Sequence, residues 1–428
     1  MSNSVRAPVR RARSRPALLT ALALTLCGCA YAIVSGGELN QSKAEQVKEG
    51  IQSLRQLKFK SDVPFVLEGP EGAEAILEGE LRRDNSDEQL RIDGLVGSLL
   101  GLYPTGIDLK AETLKLLKEQ VAAFYEPHTN EMVVVAGAMN LGLWNGMAQF
   151  LIQRDVVGEM MLAHELTHAL QDQHFGLEQN LEKFKDNSDR ALALKCVAEG
   201  DATLAGFGYV IGRLDDETAD ELVSKMDELP KEFAAKTVGV PQGLSAPLIF
   251  QYSAGTRLVA QAYRRGGWRA VDALYREMPQ SSQQVMHPGL YFEGLAPVVE
   301  IKLAGYEHEL AGWDQGSEDS YGELLLQIIL ERVLGADSPD LPLADRWAGD
   351  RLVALRKGQS VTVLWLVMFR DDHSAQRFAA VYASALDRTL GATVPHRVGY
   401  RLQAVLVSIG ESAQKFVSLE PAVWAATK

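Results

Sequence analysis

Cysteine is scarce: there are three in 428 residues, and two of them, Cys27 and Cys29, fall inside the first thirty. Cys196 stands alone in the body of the chain, so no disulfide framework supports the fold. It reads as a small buried apolar residue. Positive charge is also short. Asp and Glu number 56 against 43 Lys and Arg, a formal charge of −13. A surface this acidic does not offer what nucleic-acid phosphates require, which excludes a nucleic-acid partner. Beyond the N-terminus no apolar run reaches the roughly 20 residues needed to span a bilayer. Internal repeats and long low-complexity runs are missing too. What remains is an ordinary globular balance, 46% apolar and 23% charged, in a chain long enough for a sizeable core and two units.

The N-terminus differs from the rest. Arg6, Arg10, Arg11, Arg13 and Arg15 precede a short apolar run, Ala17 to Leu26, and then Leu26-Cys27-Gly28-Cys29. This order marks an exported precursor. The ending resembles a bacterial lipoprotein cleavage box, which implies a signal peptide over 1–28 and Cys29 as the lipidated first mature residue. A plain secretory signal is the alternative. Ala30 after the cysteine resembles Gram-negative lipoproteins of the outer membrane, facing the periplasm. Removal of five arginines takes the formal charge from −13 to −18. That argues against spreading over an anionic membrane, so attachment is expected through lipid on Cys29. Residues 29–43 read as a tether.

Periodicity predicts an α+β fold, predominantly helical. A main unit over 44–316 is followed by a small α+β unit over 317–428. Helices are expected from Lys43 to Leu57, Leu109 to Phe124, Val156 to His174, about Ser188 to Val210, and Tyr321 to Leu334. Strands are expected at Asp62–Leu67, Ala75–Leu81, Met132–Ala136 and Leu402–Ile409, with a hairpin of Arg351–Arg356 and Val361–Phe369.

The segment His164-Glu165-Leu166-Thr167-His168 carries the chemistry. Histidines at i and i+4 share one helical face, so both imidazoles reach one Zn²⁺. Glu165 then sits beside the metal, where a general base takes a proton from zinc-bound water. By composition alone the pattern arises in roughly one chain in a hundred of this length. Its setting raises its weight: Met160-Met161-Leu162-Ala163 and Ala169-Leu170 flank it, and buried His and Glu are costly unless paired or ligated. A catalytic site needs a third protein ligand. His174 has its glycine, Gly176, beyond it rather than before it, whereas Glu199 lies in Ala198-Glu199-Gly200-Asp201-Ala202 on the next helix, which can return antiparallel.

Ala163-His164-Glu165-Leu166-Thr167-His168-Ala169 resembles the active-site helix of thermolysin-like metallopeptidases, and Glu-Gly-x-Ala at 199–202 resembles the third-ligand segment of zinc aminopeptidases. Together they form the gluzincin pattern, two His from one helix and a Glu from the next. Thirty residues separate His168 from Glu199, against about twenty in those families, which implies an insertion. More of the chain resembles a group of bacterial secreted and lipoprotein HExxH proteins: Phe124-Tyr125-Glu126-Pro127, residues 164–175, Glu199-Gly200-Asp201-Ala202, Gln284-Val285-Met286-His287-Pro288 with Tyr291, and Trp347-Ala348-Gly349-Asp350. The resemblance implies a gluzincin-like core holding one Zn²⁺ on His164, His168 and Glu199, with a peptide or protein as substrate. A second carboxylate behind the metal histidines is expected from Asp172 or Asp201. A donor to the oxyanion is expected from His287 or Tyr291, and Met132–Ala136 is the expected edge strand for a substrate peptide. The competing reading is a non-catalytic envelope lipoprotein in which zinc is a structural staple for an assembly or scaffold factor.

Overall fold

The helix predicted around residue 164 is apolar on nearly every side. Met160, Met161, Leu162, Ala163, Leu166, Ala169 and Leu170 are all buried, so this helix has neighbours all round it. The computed structural model describes residues 33–427, apart from 36, 119–122, 137–153, 238 and 295–296. The predicted signal segment and Cys29 lie outside the described residues.

A short β1–β2 pair (Val34–Ser35, Glu38–Leu39) leads into α1 (Gln41–Arg55) and β3 (Phe65–Glu68). Helices α2 (Pro70–Asp84), α3 (Asp87–Leu100) and α4 (Leu109–Lys118) follow, then the hairpin β4 (Ala123–Glu126) and β5 (Glu131–Val135). The helical body is α5 (Arg154–Phe175), α6 (Leu177–Glu182), α7 (Ser188–Ile211), α8 (Asp216–Lys236) and α9 (Gln242–Arg276). Backbone angles at Gly266 and Gly267 break α9 near its end. Two short helices, α10 (Ser282–Met286) and α11 (Pro288–Phe292), close it. The rest is β6 (Asp314–Asp319), α12 (Gly322–Leu334), a 3-10 turn (Leu341–Arg346), β7 (Trp347–Lys357), β8 (Ser360–Phe369), α13 (Asp372–Thr389), β9 (His396–Arg401), β10 (Ala404–Ile409), α14 (Glu411–Gln414) and α15 (Phe416–Ala426). The fold is α+β and predominantly helical, as the sequence predicts.

Two local expectations change. Ala75–Leu81 lies within α2 rather than in a strand; Pro70 at the first helical position and Glu71 in the first turn start a helix there. The helix expected to reach Phe124 is described only to Lys118, and Phe124 lies in β4.

Helix α7 packs between α5 and α9, and most of its residues from Leu192 to Gly208 are buried. Its approach to α9 is set by two glycines. A Cβ at Gly200 would overlap the carbonyl of Gly255, and one at Gly255 would overlap the carbonyl of Cys196. Gly200→Ala is therefore expected to lower stability by about 1–3 kcal/mol, read as a drop in Tm. The same change shifts the neighbouring Glu199 and is expected to weaken metal uptake.

In the three-stranded sheet, β5 is central, pairing parallel with β3 and antiparallel with β4. Met132–Ala136 is therefore not an edge strand; among the described residues the edge beside α5 is β4. The C-terminal sheet is antiparallel throughout, in the order β6-β7-β8-β10-β9. Its alternation sorts side chains to two faces. Leu352, Ala354, Trp365, Val367, Val405 and Val407 join the helical body's core, while Val353, Leu355, Leu364, Leu366 and Leu406 meet Leu419 and Val423 of α15. One continuous cluster thus runs from Ile33 to Ile409. Polar ties reinforce it: Tyr382 donates to the Leu100 carbonyl at 2.8 Å, and Ser317 to Asp93 at 2.8 Å. The buried Asp350 accepts from the backbone N–H groups of Tyr321 and Gly322 at the start of α12 and from both Trp347 and Trp365 indoles.

Candidate metal centre

His164 and His168 stand one turn apart on α5, with their Nε2 atoms 3.1 Å apart and their rings nearly perpendicular. Glu199 reaches across from α7, its Oε2 lying 3.1 Å from His164 Nε2 and 3.6 Å from His168 Nε2. Three donor atoms therefore converge on one point. Ligands bound tetrahedrally at about 2.0–2.1 Å stand about 3.3 Å apart, so these separations fit one zinc ion. His164 is buried, whereas His168 and Glu199 are half-buried and open toward a cleft.

The supports behind the donors differ from the expected ones. His168 Nδ1 lies 2.9 Å from Gln171 Oε1. The Gln171 amide nitrogen donates to the Ala198 carbonyl at 2.9 Å and to Asp201 Oδ2 at 3.2 Å. Its oxygen is thereby the acceptor facing His168, which places the proton on Nδ1 and leaves Nε2 a lone pair for a metal. Asp201 acts one step further out. It pairs with the buried Arg55 at 2.8 Å and accepts from Tyr275 at 2.8 Å, while Arg55 also stacks on Trp268. Asp172 touches neither histidine. Its oxygens accept from the backbone of Glu178 in the first turn of α6 and from the Tyr125 hydroxyl, because the polypeptide turns at Gly176 and brings α6 back over it.

Glu165 lines the same cleft. Burial lifts its pKa above the usual carboxylate value, against the pull of His168 and His164, and the backbone N–H of Tyr125 donates to it. Tyr252 on α9 stacks on His164, centroids 6.0 Å apart. Its hydroxyl hydrogen-bonds Glu199. Burial and the charges of Glu199 and Glu165 push the phenol's pKa well up, so it keeps its proton. The cleft measures about 450 Å³, with Phe124, Leu177, Leu181 and Leu248 among its apolar walls and Lys195 at its polar side.

In the metal-free protein, burial disfavours charge on His168, but Glu199 outweighs it and pushes the pKa up to about 9. A raised histidine pKa means that the proton is held below pH 9 and competes with a metal there. Zinc affinity is expected to fall as pH drops below about 9, approaching tenfold per unit. Calorimetry at pH 7 in buffers of different ionisation enthalpy is expected to show about one proton released per zinc; buffer-independent heats would contradict this.

His287 and Tyr291 are placed elsewhere. Ser282, which opens α10, donates to Asp189 in the first turn of α7, and ten helical residues put Asp189 about 15 Å from Glu199. His287 contacts Glu323 at 2.8 Å, and the Tyr291 hydroxyl donates to the Glu277 carbonyl. Neither lines the cleft. Both follow the short helix Ser282–Met286, capped by Ser281, which docks at the far end of α7. Sequence reasoning missed Tyr252 and Gln171. Gln171 had a local signal, three residues after His168 on the same helical side; Tyr252 had none.

Residues 309–414 match a protein family described as a domain of unknown function (DUF8575). No curated protein matches the chain. Among solved structures, the chain is similar to one described as a "putative hydrolase with a novel fold" from Chloroflexus aurantiacus. The identity is 13% and the TM-score 0.41, over 64% of this chain and 97% of that one. At that TM-score the likeness carries no argument about function.

Proposed function

We propose that the chain is a zinc-dependent peptide hydrolase of gluzincin type, held at the bacterial envelope through Cys29. The observation that carries this reading is the convergence of His164, His168 and Glu199 on one point in an open cleft, with Glu165 beside it. When bound, zinc acidifies a water and polarises a carbonyl oxygen. Glu165 takes the proton from the attacking water and hands it to the leaving nitrogen. In the metal-free protein burial raises its pKa, which strengthens it as a proton acceptor.

Tyr252 supplies the donor first sought at His287 and Tyr291. It stays protonated and faces the donor cluster from the opposite helix. Strand β4 supplies the edge. The Tyr125 N–H turns toward Glu165. In an antiparallel strand the Tyr125 carbonyl and both main-chain groups of Ala123 turn the same way. A substrate peptide pairing there lies across the metal ligands. An ion serving only as a staple has no use for a base, an open cleft and a free strand edge together.

The test is metal analysis with proteome-wide cleavage profiling of wild type against Glu165→Gln. Zinc bound in both and cleavage only in wild type is the expected outcome. Zinc bound and no difference in cleavage would leave the staple reading. For the anchor, Cys29→Ala is expected to move the protein from the membrane to the soluble fraction; an unchanged membrane fraction would refute lipidation there.

A further inference from the structure

We propose a second divalent-cation site, made by His287, Glu323 and Asp345 where α10, the start of α12 and the 3-10 turn meet. It is independent of the peptidase reading. Each residue offers one donor atom, and the three atoms lie within 4.8 Å of one another. His287 Nε2 and Glu323 Oε1 are 2.8 Å apart. Neighbouring ligands at right angles on an ion with bonds of about 2.1 Å stand about 3.0 Å apart. The pair is therefore already spaced for a shared ion.

Glu323 gives the site its character. Its side chain is fully buried, and among the described residues its one direct ion-pair partner is His287; the Arg370 guanidinium acts on it from further off, across Gln283. A buried carboxylate is costly unless a cation or metal offsets it. Its second oxygen accepts from the Gln283 amide at 2.5 Å, and that amide nitrogen is held by the Trp347 carbonyl at 3.0 Å. The Gln283 oxygen in turn accepts from Arg370 at 2.9 Å. One Glu323 oxygen is thus fixed by a neutral donor, and the other is aimed at His287.

His287 faces both Glu323 and Asp345, so a single imidazolium charge meets two carboxylates. The second carboxylate leaves negative charge at that point that a divalent cation offsets more fully than one imidazolium proton does. His287 and Asp345 are both exposed, so an ion has a way in from solvent while Glu323 holds it from within. One imidazole and two carboxylates suit a first-row divalent ion such as Zn²⁺ or Mn²⁺, with water in the remaining positions. The site lies about 15 Å along α7 from Glu199, far beyond the roughly 3.5–4 Å of a two-metal catalytic pair. Asp345 stands two residues before β7, and Glu323 opens α12. An ion there therefore fastens α10 to the C-terminal sheet.

The experiment is zinc titration by calorimetry on the full mature chain. Wild type is expected to take two equivalents, His164→Ala/His168→Ala one, and that variant with His287→Ala added none. Because His287 is exposed, its replacement leaves the core intact, which circular dichroism verifies. Thermal melts of His164→Ala/His168→Ala are expected to rise with zinc, and to stop rising once His287→Ala is added. A single equivalent in wild type, abolished by His164→Ala/His168→Ala, would overturn the second site. So would two equivalents surviving His287→Ala. A single equivalent that His287→Ala removes would instead uphold this site and defeat the first.

Discussion

Glu165→Gln is expected to keep zinc at wild-type stoichiometry and to lower kcat by about 10²–10⁴-fold, the usual worth of a positioned general base. The substitution is isosteric. Its amide oxygen still accepts from the Tyr125 N–H, and the donors at 164, 168 and 199 keep their places. What is lost is the basic oxygen. Turnover within tenfold of wild type, with zinc verified by mass spectrometry, would remove Glu165 from the mechanism.

Tyr252→Phe is expected to cost about 10²–10³-fold in kcat, the scale of losing one oxyanion donor, with KM little changed. The ring and its stacking on His164 survive; only the hydroxyl is deleted. The hydroxyl also bonds Glu199, so a second outcome is informative. If its work is only to orient that carboxylate, zinc affinity falls while kcat of the zinc-saturated enzyme holds. The split between metal affinity and kcat thus decides whether Tyr252 acts on substrate or positions a ligand.

What was legible in the sequence was what is local along it. The His164–Glu165–His168 arrangement needs only helical periodicity, and the buried positions of α5 supply that. Glu199 needed one further step, a returning helix, and its apolar neighbours marked the buried side. The supports were harder to read. Gln171, Asp201, Arg55 and Tyr275 form one chain of contacts drawn from four helices, so sequence could name Asp201 but not its distance from the donor atoms. His287 and Tyr291 follow a short capped helix whose docking point no local pattern reveals. Tyr252 sits 53 positions beyond Glu199, on a helix brought close by Gly200 and Gly255. The exchange of edge between β4 and β5 has the same origin. Both are short apolar runs, and only the parallel pairing of β3 with β5 decides which lies outside.

The contact between Tyr382 and the Leu100 carbonyl bears on how the chain comes to be made. Helix α3 is synthesised early, and its covering partner α13 emerges some 280 residues later. At about 5–20 residues per second this leaves an interval of roughly 14–60 s. For the later part of it, once α7 is made, the helices bearing His164, His168 and Glu199 exist without the complete sheet that covers them. Closure of that core waits on α13, and contacts of such long range are slow to form.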